Sequence, residues 1–132
     1  MKNARLAGIG LALLLCTMLV ASDDEPDKTL GAFNGRFWQK CNAAVKTGFI
    51  VGFNSAMQAS TTISKQEVQK YTAGVSFGEM VKGVDQIYQT PENASLPIWV
   101  AIRIVVLKAN GVPEDKIGET LVTEGIWRPV NH

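Results

Sequence analysis

Histidine is nearly absent from this chain: the only one is His132, the final residue. A Ser-His or Cys-His nucleophilic pair therefore lacks a base anchored in the body of the fold. Cysteine is almost as scarce. Cys16 lies in an apolar N-terminal run and Cys41 stands alone downstream, so a chain shortened by removal of that run cannot close an internal disulfide. One histidine, one remaining thiol and no close triplet of carboxylates also leave zinc without a ligand set. No glycine-rich phosphate loop is present, because Gly78 and Gly83 fall inside a helical pattern with no strand before them. Charge of one sign is missing too: 13 Lys and Arg balance 12 Asp and Glu. Nothing here supplies the clustered cations that nucleic-acid binding needs. The sequence offers no strand of useful length and no internal repeat.

What is present is apolar residue, 46% of 132 positions, enough for one core and one domain. Lys2 and Arg5 precede an apolar run from Leu6 to Val20, and Ala21-Ser22 lead into Asp23-Asp24-Glu25. That is the layout of a secretory signal peptide, with cleavage after Ser22 and a periplasmic or secreted product. The rivals are a membrane anchor and a lipid on Cys16. A run of about 15 residues is short for a stable membrane span, and Leu15 is bulky where a lipoprotein signal has a small residue. Removal of residues 1–22 takes Lys2 and Arg5 and leaves 11 cations against 12 anions, a net charge of −1. Residues 23–32, acidic and without an apolar period, read as a disordered leader. Residues 33–132 read as a single all-α domain, a small bundle of four main helices.

Asn34 is placed to cap a long first helix in which Phe37, Cys41, Val45, Phe49, Phe53 and Met57 recur every fourth position. Beside this ridge runs a row with almost no side-chain volume: Ala44, Gly48, Gly52 and Ala56. Helical glycines are disfavoured, so close packing of a second helix inside the domain is expected to offset them. Ser64 to Glu67 resembles a capping box ahead of a short helix. Ser76 and Glu79 form a second, with Val75 and Met80 as its hydrophobic staple. Phe77, Met80, Val81, Val84, Ile87 and Tyr88 then share one helical face. Pro91 stops that helix and Pro97 opens the next. IWVAIRIVVLKA is apolar on nearly every side, marks the central buried helix, and ends at the cap pair Asn110-Gly111. A final helix after Pro113 turns Ile117, Leu121 and Val122 inward, and Trp127 is expected to fold back onto the bundle.

The candidate contact site is the corner between these last strong helices. Asp85 and Tyr88 share one helix edge, Asn93 turns the chain, and Glu92 projects from the bend. Each residue has a purely structural account. Corners carried on rigid helices are nonetheless common recognition elements, and the tip of Tyr88 is the expected contact. A glycan-cleaving pair drawn from Glu79, Asp85 and Glu92 is the enzymatic alternative. Glu79 is already occupied as a cap, and the others sit where solvated charges belong, so the chain is read as non-enzymatic and free of cofactor and metal.

The glycine-bearing helix TGFIVGFNSAM, the Gly74 to Glu79 segment, the Pro91-Glu92 corner and the Leu96-Pro97 start together resemble the immunity proteins of type VI secretion amidases. The resemblance spans Thr47 to Ala109. A group of exported domains sharing the Tyr-x-x-Pro-x-Asn corner is an equal match. The immunity family implies a periplasmic, all-helical, homodimeric protein that plugs the active site of a peptidoglycan amidase. Its members carry paired cysteines, whereas Cys41 here has no partner. The expected function is thus protein binding through Asp85, Tyr88, Glu92 and Asn93, with an amidase as partner; a self-associating envelope or chaperone-like subunit is the alternative.

Overall fold

The computed structural model describes residues 26–126. The signal peptide over 1–22, Cys16, residues 23–25 of the leader, Trp127 and His132 lie outside them. The described chain is all-α apart from one small hairpin. Strands β1 (Lys28–Thr29) and β2 (Ala32–Phe33) pair antiparallel, Lys28 opposite Phe33. Six α-helices follow: α1 (Gly35–Lys40), α2 (Ala43–Ala59), α3 (Lys65–Thr72), α4 (Phe77–Tyr88), α5 (Ile98–Ala109) and α6 (Glu114–Thr123). A 3-10 helix, Pro91–Ser95, joins α4 to α5. No helix among the described residues is long and apolar enough to cross a membrane.

Two expectations fail at the start. Residues 26–32 are not a structureless leader. Leu30 and Gly31 both take positive φ, 53° and 76°, as a two-residue hairpin loop of the primed type requires. Asn34 then holds the hairpin: its side-chain amide donates to Pro26 O at 3.1 Å and to Thr29 Oγ1 at 3.0 Å. Lys40 and Asp27 add an ion pair at 2.7 Å. The same Asn34 side chain accepts from Arg36 N and caps α1, and the residue is fully buried.

The long first helix is likewise two. Cys41 leaves helical geometry with ψ near 139°, and Asn42 caps α2 by accepting from Val45 N at 3.0 Å. An Asn side chain that can bond the backbone offers the chain an exit from the helix, and here it is taken. Phe37 therefore sits on a different helix from Phe49, although the two rings still approach within 6.4 Å. Ile50 is the one α2 residue that is buried.

From α4 onward the local signals hold. Ser76 and Glu79 make the reciprocal capping box, and Gly111 takes positive φ after α5. Helix α5 buries eight of its twelve residues and runs through the centre. Its one side carries Ile98, Ala101, Ile102, Val105 and Val106 against Trp38, Ile50, Met80, Val84, Ile87 and Tyr88. Its other side sets Val100 and Leu107 against Ile117 and Leu121 of α6. Phe77 and Val122, expected inward, are 44% and 46% exposed.

Candidate functional site

The corner after α4 is built tightly from below. Tyr88 follows Val84 and Ile87 on the face turned to α5, so its ring is buried to 2% exposure and its hydroxyl donates to Leu96 O at 2.8 Å. Burial pushes the phenol well above its ordinary range. Asn93 donates from Nδ2 to Ile87 O at 2.9 Å, and Leu96 N donates to Asn93 O at 2.8 Å. Gln39 reaches from α1 to donate to Tyr88 O at 2.8 Å. A Cβ on Gly35 would collide with the Tyr88 ring, so α1 rests directly on it.

This corrects the expected contact set. Tyr88 is a buried strut and cannot reach a partner. Asp85 accepts from Trp38 Nε1 and Lys46 Nζ, both at 2.7 Å, through one carboxylate oxygen, and so ties α4 to α1 and α2. Asn93 is half-buried in its own turn. Glu92 is exposed on the outer side of the bend. The four residues thus do not converge on one outward surface. The sequence already placed Tyr88 on the apolar face of α4; the error lay in assigning its polar tip to solvent.

The other side of the corner opens into a cleft of about 670 Å³ between α4, α5 and α6. Its floor is apolar, with Ile87, Leu96, Ile104, Val105, Ile117 and Leu121. Lys82, Gln86, Lys108 and Glu114 stand around it, and Thr90 and Asn93 close the corner end. Glu79 at the far end is held by Ser76, whose hydroxyl and backbone N–H donate at 2.6 and 2.9 Å and lower the carboxyl's pKa. Glu114 is lowered in the same way by Lys108 at 2.7 Å. In the α4 wall, Gly83 admits Val105: a Cβ there would lie 2.7 Å from both of its γ carbons. Gly118 in the α6 wall meets nothing within 4 Å.

A second polar structure escaped the sequence reading. Arg103, the one charged residue within the apolar stretch Ile98 to Leu107, is 7% exposed and fully engaged. Its Nε donates to Glu124 Oε2 at 2.9 Å, its Nη2 to the other oxygen, and its Nη1 to Lys70 O. The guanidinium lowers Glu124, chiefly by hydrogen bonding. This clamp closes α3 and α6 onto α5. Burial, reinforced by Glu67, raises Tyr71 beside it. An arginine in an apolar helix demands a buried partner, and that demand was the available signal.

The outer face of α2 is the opposite case. Ala44, Thr47, Gly48, Gly52, Ser55, Ala56 and Ala59 are all exposed, with Val45 and Val51 at 46% and 38%. A Cβ on Gly48 or Gly52 would meet nothing within 4 Å. Among the described residues no other helix fills the groove, contrary to expectation. Comparison of the chain with protein-family models, with curated proteins and with solved structures finds no match.

Proposed function

We propose that this chain is an exported, non-enzymatic binding domain that receives a protein segment in the cleft between α4 and α6. The observation that carries this reading is the cleft's construction: an apolar floor inside a ring of charged and amide side chains, the usual anatomy of a specific contact. Its end wall is the corner, braced by Tyr88 and Asn93. A surface already held in one conformation loses little entropy on docking. The carboxylates considered for catalysis support the same reading, since Glu79 is closed in its cap and Asp85 is bound to Trp38 and Lys46. The resemblance to immunity proteins gives the sharpest version, in which the segment belongs to a peptidoglycan amidase and Glu92 contacts the same partner from outside the bend.

Capture from a cell-envelope extract tests this. The wild-type protein is expected to retain one partner that a Gly118→Trp variant loses, since Gly118 lines the cleft and has open space beside it. Both proteins should give the same circular dichroism. Equal capture by both would reject the cleft, and release of sugar or peptide from purified cell wall would reject the non-enzymatic reading.

A further inference from the structure

A second hollow, of about 440 Å³, lies between α2, α3 and α4. It takes Phe77 and Met80 from α4, whereas the cleft takes Glu79, Lys82, Gly83, Gln86 and Ile87, and the two share only Val75. Its deepest residues are the buried Ile50, Met80 and Ile102. Phe53 and Tyr71 make a side wall, packed edge to face with ring centroids 5.8 Å apart. Phe77, expected inward but half-exposed, belongs to the same lining. An aromatic ring left in water beside an apolar hollow gains from an occupant that covers it.

The polar atoms around the hollow identify the occupant's chemistry. Two of its hydroxyls are spent: Thr72 donates to Val68 O at 3.0 Å and Ser76 to Glu79 Oε2 at 2.6 Å. The Tyr71 hydroxyl has no hydrogen-bond partner among the described residues, although Tyr88, the other tyrosine, donates to Leu96 O. A half-buried phenol ordinarily finds an acceptor. Burial raises its pKa and so keeps it a donor. Gln58 donates to Asn54 Oδ1 at 3.1 Å, which leaves Asn54 Nδ2 as a second donor without an acceptor. Tyr71 is also held in place, since Arg103 bonds the carbonyl of Lys70 before it and Asn110 bonds that of Ala73 after it at 3.2 Å. No residue lining the hollow is charged, so a charged ligand would be desolvated there without a counter-charge. The volume falls in the roughly 300–1,000 Å³ of small-molecule sites. The rings of Phe53, Tyr71 and Phe77 and the Met80 thioether favour a second aromatic ring between them.

We infer that this hollow binds an uncharged small molecule built on an aromatic ring that carries a carbonyl or ether oxygen, with the Tyr71 hydroxyl donating to that oxygen and Asn54 offering the second donor. The site is independent of the cleft proposed for a protein segment, and either reading can fail without the other.

The test is an NMR titration of isotope-labelled protein, expressed from its complete sequence, with probes of one shape. Coumarin has the ring system and a carbonyl, naphthalene lacks the acceptor, and naphthoate is charged. Coumarin is expected to bind saturably and to shift the amides around Phe53, Tyr71 and Met80. Naphthoate should bind at least about tenfold more weakly, because its charge is buried unpaired. Tyr71→Phe should weaken coumarin about fivefold, the worth of one hydrogen bond, and leave naphthalene unchanged. A hydroxyl with only a structural role would move both probes together. Asn54→Trp, which fills the hollow from α2, should abolish binding of both; if it disturbs the fold, the Tyr71→Phe comparison decides alone. The inference is overturned by coumarin that does not saturate, by Tyr71→Phe weakening both probes equally or neither, or by naphthoate or the linear methyl octanoate binding as tightly as coumarin. It is overturned equally by shifts confined to Lys82, Gly83 and Gly118 around the cleft, or by shifts at the hollow that follow protein concentration alone, which would make a second copy the occupant.

Discussion

The helices on either side of the corner and the outer face of α2 are built on opposite terms. Around the corner, two glycines leave space that a neighbour fills: the Tyr88 ring lies on Gly35 and the Val105 methyls on Gly83, whereas Gly78 at the start of α4 meets nothing. On α2, Gly48 and Gly52 sit in the same kind of helix with open space beside them. Gly35 and Gly83 are explained by contacts within the described residues, and Gly48 and Gly52 are not. Among the described residues, Gly48 and Gly52 weaken their own helix with no compensating contact.

The comparison can be broken most severely at Tyr88. Were it a contact residue, Tyr88→Ala would leave the fold intact. As a buried strut it should instead destabilise by about 3–5 kcal/mol, read by chemical denaturation. The Arg103–Glu124 clamp comes next, with Glu124→Gln expected to cost about 3 kcal/mol because it leaves a buried guanidinium without its counter-charge. Glu124 also fixes a pH dependence. Its folded pKa lies below the ordinary 4.5, so its contribution is complete above that value and disappears as pH falls through the lower folded one. Acid titration of wild type should therefore lose stability more steeply below pH 4.5 than the Glu124→Gln variant does. Gly83→Ala sharpens the contrast between the regions, since overpacking against Val105 should destabilise by about 1–3 kcal/mol. At the small end, Glu92→Ala on the exposed bend should change stability by less than about 0.5 kcal/mol. Any effect it has belongs in partner capture.

Local signals carried the reading from Gly74 to Gly111. A capping box, two prolines and an Asn-Gly end are determined by residues within one turn of one another, and each stands where the pattern placed it. What failed depended on distant partners or on competition between neighbours. The hairpin turns through Leu30-Gly31, whose leucine gives no turn signal, and it is held by Asn34 from outside its own strands. The break at Cys41-Asn42 arose because the ridge at every fourth residue is compatible with both one helix and two, and Asn42 decided between them. In the candidate site, residue types were read well and their directions poorly: Asp85 and Asn93 are polar and near the bend, but both are committed to internal bonds. The cleft itself was not legible, because α6 joins its wall only through contacts that sequence spacing does not encode.

The most direct test of the distinction between the two regions is the unfolding free energy of Gly48→Ala/Gly52→Ala. If nothing inside the chain requires these glycines, the double variant should be more stable than wild type by up to about 2 kcal/mol, the helix-propensity difference for two positions. A loss of stability would mean that the glycines serve the fold after all, and would contradict the account.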